Sequence, residues 1–594
     1  MKNKPNETYV ADLIIVGGTP AGITAAIAAS RRGHTAIILE RTTHIGGLPA
    51  NGLGATDIAT RGVAGGLFKE FTDRVREYYA KTYGKDSPQF EVCSDGFHFE
   101  PSVGEKVLLE MIAECPSISV RLRRQFDALP GNVVRANGRI SAITIRNLET
   151  GADEIYTGPT FIDATYEGDL AAACNVPFAT RREGTADYHE PLAGRVYQEW
   201  NEEAIGEGST GEGDDVIQAY NFRLCLTDRP ENRTTFPKPD GYDRSEYVSL
   251  IDDLKHDRMP GIHRNEREWD GIGRITNIVW LPNGKTDANN QHLAFISTDL
   301  PEENYVWPVS DWAWRDKFQT RLRNYTLGLF WFLQNDPEVP GSFRKNAQRF
   351  GLAADEYTDN GNFPRQVYVR EGRRILGEAC FLAHDALPTE AGGRPPIHPT
   401  SIAASHYPVD SHAVRKREPG RVHLDGFVSI GTKPYTVPYG IMVPKTIDNL
   451  WVPVAVSASH LGFGTLRMEP CWMVLGEAAG AAAALALSLR LPARSVPMDQ
   501  LQRDLVSRGA MLLYYRDVAR NDPAFPALQY LGVRGAIPEW DANLDAPASK
   551  QDIELWARIT GLQLEGITEG MSRRDVLVLL SETLAGFAQK NACK

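Results

Sequence analysis

The sequence predicts an α/β fold in which a parallel-sheet domain is interrupted by a mixed α+β insertion and followed by a helical tail. Three observations predict it. From Tyr9 to Gly33 an apolar, β-branched run leads through a glycine turn into a small-residue helix, and a second apolar strand follows. Elements of the same kind return late, where NLWVPVAV (449–456) leads into an Ala/Gly-rich helix up to Leu489. Between about 186 and 395 the composition turns charged and aromatic, with no glycine fingerprint.

The first unit reads YVADLIIV, GGTPAG (Gly17–Gly22), ITAAIAASRRG and HTAIILE, ending at Glu40. Continuous apolarity marks strands buried on both faces, and Gly33 suits a helix C-cap. Strand, glycine turn, helix and strand ending in an acid is the spacing of a dinucleotide-binding βαβ unit. Gly17 permits the tight turn, and Gly22 lets the helix approach the sheet. The helix start at Pro20 and Ala21 turns amide groups and partial positive charge toward a pyrophosphate. Glu40 can accept bonds from ribose hydroxyls, with Arg41 beside it. Gly18 and Thr19 complete the turn. Thr19 stands where the motif usually has its middle glycine, so its side chain must point away from the phosphates. A Gly-rich loop, HIGGLPANGLGATD, follows and should bring Gly46 and Gly47 back to the same place. FIDATYEGDLAAA (161–173) reads as another buried strand, ending in Asp163, Ala164 and Thr165. No second glycine–acid unit appears; GIGRITN (271–277) is not followed by a small-residue helix.

The chain has 594 residues, 42% hydrophobic and 24% charged, and Lys+Arg 64 against Asp+Glu 76 gives a net charge of −12. Those values exclude wholesale disorder, and an acidic surface argues against nucleic acid or an anionic membrane as partner. Seven cysteines with no CxxC argue against a disulfide framework or a metal centre and fit a reducing compartment. The N-terminus has no apolar run before its first motif, so a cytoplasmic chain without a signal peptide is expected. The stretch Cys471–Leu489 is long enough for a short membrane span, but its Ala/Gly content and flanking charges favour a tightly packed core helix.

With DLIIVGGTPAGITAAIAA, HIGGLPANGLGATDI, DATYEGDLAAA, YVREGRRILGE (368–378), PYGIMVPK (438–445) and SASHLGFGTLRMEPCWMVLGEAAG (457–480) in view, the chain resembles bacterial FAD-dependent oxidoreductases. These belong to the glutathione-reductase-like superfamily and are distantly related to the succinate dehydrogenase and fumarate reductase flavoproteins. The resemblance spans residues 10 to 490. It implies a Rossmann-like FAD-binding domain split over 1–185 and 396–494, a substrate cap over 186–395 and a helical region over 495–594. It implies noncovalent FAD, and it places Gly476, Glu477 and Gly480 of the late helix with the βαβ unit at the cofactor. His44 lies nearer its Gly-Gly pair than in relatives that attach FAD through histidine. Without a nicotinamide unit, electrons are expected to leave to oxygen, a quinone or a redox protein.

The flavin needs a proton donor or acceptor and a positive charge nearby. The turn before the late helix supplies His460, whose unperturbed pKa suits proton exchange, and Arg467 as the charge. His406, with His412 in SHYPVDSHAV, and Tyr439 in VPYGIMVP are further candidates; Arg370, Arg373 and Arg374 read as a solvated face. The expected reaction is hydride transfer between the flavin and an alcohol, sugar-like molecule or amine. A fumarate-reductase-like C=C reaction or a flavin-binding electron-transfer protein are the alternatives.

Overall fold

The computed structural model describes residues 7–198, 205–258, 271–292, 294–561, 567–568 and 570–581. Its centre is a parallel sheet built from β1 (Leu13–Val16), β2 (Ala36–Leu39), β3 (Ile118–Arg121), β4 (Thr160–Asp163) and β5 (Leu450–Trp451). The strand order is β5-β4-β1-β2-β3, every pair parallel. Except in the edge strand β3, these residues are buried, which is why they read as unbroken apolar runs. Val16 pairs with both Leu39 and Asp163, so three strand ends converge at the glycine turn.

Helix α1 (Pro20–Ser30) covers one face and is buried from Pro20 to Ala29. Helix α2 (Gly66–Tyr83) starts after the Gly-rich loop. Antiparallel strands, among them Arg139–Asn147 and Asp153–Thr157, flank the sheet before β4.

Between β4 and β5 lies a second, five-stranded antiparallel sheet, ordered Arg233–Thr234, Gly351–Ala353, Leu224–Thr227, Lys285–Asn290, Thr276–Leu281. The long helix α3 (Trp312–Asn335) packs beside it, capped by Asp311, which accepts from Trp314 N at 2.8 Å. Strands with an alternating polar pattern and one long helix account for the mixed composition of this insertion.

The chain re-enters the first domain through α4 (His460–Leu466) and α5 (Glu469–Leu489). α5 is long and apolar enough to cross a membrane, but it lies mostly buried against α1. Its glycines make that crossing: a Cβ on Gly476 would lie 2.2 Å from Ala21 O, and one on Gly480 2.1 Å from Ala25 O. Thr24 Oγ1 adds a hydrogen bond to Met473 O at 2.8 Å. Beyond residue 495 the chain is helical over Met498–Ser507, Phe525–Gly532 and Lys550–Thr560. Residues 573–581 are helical too; 582–584, at the end of the last helical pattern in the sequence, lie outside the described residues.

Candidate functional site

At the strand ends the glycine turn is shaped as its residues require. Gly17 adopts φ +106°, and a Cβ there would lie 2.8 Å from the Ala164 carbonyl. A Cβ on Gly22 would lie 2.1 Å from Gly17 O, so only glycine lets α1 start this close to the strand. Thr19 caps α1: Gly22 N donates to its Oγ1 at 3.3 Å, and Oγ1 donates to Ala164 O at 2.8 Å. Its side chain therefore points at β4 and leaves the mouth of the turn open.

A cavity of about 310 Å³ opens there, lined by Gly17, Thr19, Glu40, Arg41, Gly47 and Thr165 among others. The Glu40 carboxylate accepts from Gly18 N at 2.9 Å and Thr42 N at 2.8 Å, which fixes it at the cavity wall. Arg41 stacks over Trp312 of α3 at 4.2 Å and pairs with Asp316 at 2.7 Å, joining the insertion to this wall. Gly46 N donates to Gly18 O at 2.7 Å, bringing the Gly-rich loop back as expected. A helix N-terminus, a glycine turn and an acid at the second strand end form a donor set that fits the adenosine diphosphate half of FAD.

Other expected cofactor residues serve the frame. Asp163 accepts from Thr165 N and Oγ1 and from Ala171 N, and burial pushes its carboxyl up to about 6. Gly476 and Gly480 do not line the cavity but hold α5 against α1. Glu477 accepts from Leu67 N at 2.8 Å at the start of α2, where burial pushes it up to about 7.

Beyond Gly47 the loop runs into a polar chamber shared with the insertion. Arg223 pairs with Asp57 at 3.2 Å and, through Nε and Nη2, with Asp287 at 2.7 and 2.6 Å. Arg467, just after α4, pairs with Asp410 at 2.9 Å and donates to Tyr368 Oη at 2.8 Å. His412 meets Asp299 at 2.7 Å, and Arg370 meets the same carboxylate at 2.8 Å. Asp57 and Asp410 keep 19% and 18% of their side-chain surface although protein surrounds them, so that surface faces an internal space. Burial raises the Asp57 pKa against the pull of Arg223. For Asp410, burial is outweighed by His412 and Arg467, and its pKa lies below the usual carboxylate range.

Of the expected catalytic residues, Arg467 lies in this chamber. His460 is buried behind it with both ring nitrogens engaged: Nδ1 with Glu371 at 2.8 Å and Nε2 with Ser411 Oγ at 2.9 Å. Glu371 and Glu183 in turn hold Arg374, so Arg374 and Arg370 are fully buried ion-pair partners rather than a solvated face. Arg373 likewise pairs with buried Asp169 at 2.7 Å. His406 bonds Thr60 Oγ1 at 2.8 Å at a half-buried edge. Tyr439 donates to Ala493 O at 2.7 Å and accepts from Trp451 Nε1 at 2.8 Å, apart from the chamber groups. His44 is held between Glu105 at 2.8 Å and Asp359 at 3.2 Å. Sequence reasoning missed Asp57, Arg223, Asp287, Tyr368 and Asp410. Asp57 closes the Gly-rich loop and Asp410 lies inside SHYPVDSH, so both stood in segments already singled out; Arg223 and Asp287 sit on strands of the insertion with no motif around them.

Residues 12–505 match the family model described as FAD dependent oxidoreductase. Among solved structures, the myxobacterial chondrochloren halogenase, an FAD-dependent halogenase, is 12% identical over 84% of this chain and 79% of that one, with a TM-score of 0.35. L-proline dehydrogenase from P. horikoshii is 16% identical over 31% of this chain and only 26% of that one, with a TM-score of 0.17. The 3-ketosteroid-Δ4-(5α)-dehydrogenase from Rhodococcus jostii RHA1 is 13% identical over 35% of this chain and 64% of that one, with a TM-score of 0.21. No curated protein matches the chain.

Proposed function

The chain belongs to the FAD dependent oxidoreductase family, and from that premise we propose that it oxidises a hydroxyl-bearing small molecule by hydride transfer to noncovalently held FAD. The polar chamber carries this reading, with the insertion over 186–395 acting as its substrate cap. When bound, FAD supplies the hydride acceptor.

The chamber's own groups do the rest. Asp57, its pKa raised by burial, takes the hydroxyl proton as the neighbouring C–H gives up its hydride; the alcohol becomes a carbonyl, two electrons leave with the hydride and the proton stays on the carboxylate. Arg467 holds positive charge beside the reacting centre, and Asp410 and Tyr368 fix its guanidinium. His460 sets the Ser411–Glu371 network under the chamber instead of moving a proton.

The charge pattern favours a neutral substrate. Arg223, Arg370 and Arg467 each already face an aspartate, so a substrate carboxylate would have to break a desolvated ion pair to enter. The surface left accessible belongs to carboxylate acceptors, which suit hydroxyl donors. This pattern favours an alcohol or sugar-like substrate over a dicarboxylate of fumarate type.

The test is anaerobic flavin bleaching with sugars, polyols, hydroxy acids, amines and dicarboxylates. Hydroxyl-bearing neutral compounds should bleach the flavin, and Asp57→Asn should keep FAD yet slow bleaching by about a hundredfold, the scale of a lost general base. Bleaching by amines alone, reoxidation of reduced flavin by an unsaturated dicarboxylate, or wild-type rates in Asp57→Asn would overturn the reading.

A further inference from the structure

Between the nucleotide cavity and the polar chamber lies one carboxyl group that the account above leaves unused. Glu469 opens α5 and is 2% exposed. One of its oxygens, Oε1, accepts from Tyr166 Oη; the other, Oε2, is buried with no hydrogen-bond partner. Tyr166 lines the nucleotide cavity, and its Oη accepts from Leu48 N at 3.3 Å. A Cβ on Gly47, which has φ +53°, would lie 2.3 Å from that same oxygen, so the loop is drawn tightly onto the tyrosine. On the other side, Arg467 is two residues away in the chain, and Asp57 is near enough to act on Glu469 electrostatically. Glu469 is thus bracketed by the cavity that fits the adenosine diphosphate half of FAD and by the chamber that takes substrate. A molecule running from one to the other passes this carboxyl.

We propose that Glu469 is a flavin ligand: positioned by Tyr166, its unpartnered Oε2 donates a hydrogen bond to the polar edge of the bound isoalloxazine ring. A buried oxygen without a partner is costly, and a ligand acceptor removes that cost. Donation requires the carboxyl to be protonated. Burial pushes its pKa up to about 8, with Asp57 adding to the shift against the hydrogen bond from Tyr166. The tyrosine's own pKa is raised far above that range by burial and by Glu469, so Tyr166 stays a donor throughout. At neutral pH Glu469 therefore carries its proton.

The assignment needs FAD but no particular substrate, so its test stands apart from the reaction proposed above. Apoprotein is titrated with FAD, followed by flavin fluorescence, and separately with ADP, which lacks the ring. For the wild type, FAD affinity should fall by up to tenfold per pH unit above about pH 8, the slope of one linked proton, while ADP affinity stays level. Glu469→Gln keeps an N–H donor and cannot ionise; it should bind FAD tightly with a flat profile. Glu469→Leu should bind ADP like the wild type but FAD at least tenfold more weakly, with a shifted visible spectrum. An unchanged pH slope in Glu469→Gln would overturn the proposal, as would wild-type FAD affinity in Glu469→Leu. Should the leucine variant lose ADP binding as well, the slope in Glu469→Gln decides alone.

Discussion

Replacing Gly22 by alanine tests the construction of the nucleotide site with a single methyl group. A Cβ at this position would lie 2.1 Å from Gly17 O and 3.2 Å from the Ala164 Cβ. Non-bonded carbon contacts settle at about 3.5 Å, so relief demands more than about 1 Å of movement between the first turn of α1 and the end of β1. The strand cannot yield easily, because Val16 is paired on both sides. The helix is also pinned by its crossing with α5. An N–H···O bond tolerates only a few tenths of an ångström around about 2.9 Å, so amides aimed at the pyrophosphate would lose register. Two bonds to a charged group at about 1.5–3 kcal/mol each make FAD binding weaker by a hundredfold or more. Titration of apoprotein with FAD measures this, with Gly131→Ala as the control, since nothing lies within 4 Å of a Cβ there. A Gly22→Ala protein that binds FAD within threefold of wild type would refute the close-approach argument.

Two further outcomes follow from buried charge. Glu477, pushed up to about 7, holds a proton in the folded state that the unfolded chain releases near 4.5, so it costs stability increasingly as pH rises from 4.5 to 7. The cost above that window is on the order of 3 kcal/mol; Glu477→Gln, which still accepts from Leu67 N, should match wild type in urea midpoint at pH 5 and exceed it at pH 8, and equal midpoints at both would count against the shift. His460→Ala strands Glu371 in the core and should cost about 3 kcal/mol in urea unfolding with flavin reduction slowed less than tenfold; unchanged stability with reduction a hundredfold slower would instead make His460 the proton carrier.

What could be read from the chain divides by range of interaction. The unit from Leu13 to Glu40 was legible because strand burial, glycine turn and acid are all local demands of one ligand on a short segment. Gly476 and Gly480 were legible as important but not as to purpose. Glycines one helical turn apart look the same whether a cofactor or another helix approaches them, and here it is α1. His460 was chosen by residue type, and type is silent about partners; Glu371 and Ser411, far off in sequence, occupy both ring nitrogens. The arginines of YVREGRRILGE looked solvated because charge usually is, yet buried aspartates and glutamates contributed by remote segments neutralise them. Arg223 and Asp287 face each other only through the pairing of Leu224–Thr227 with Lys285–Asn290, which no local pattern announces.

That pairing also determines how the cap relates to the cofactor loop. A Cβ on Gly52 would lie 1.9 Å from Arg223 O, so the loop and the cap backbone touch without intervening side chains. Ala55 N donates to Asp287 Oδ2 at 3.0 Å, and Asp57 closes on Arg223 two residues later. Farther out, buried Lys285 of the cap bridges Glu100 of the first domain and Glu356 of the cap at 2.8 and 2.7 Å. Opening this face would strip a lysine and an arginine of carboxylate partners in a desolvated setting, which costs several kcal/mol for each pair broken. The cap strands therefore form a fixed wall of the chamber. Asp57 and Arg467 are held in place before substrate arrives, and binding energy is not consumed in bringing the charged groups together.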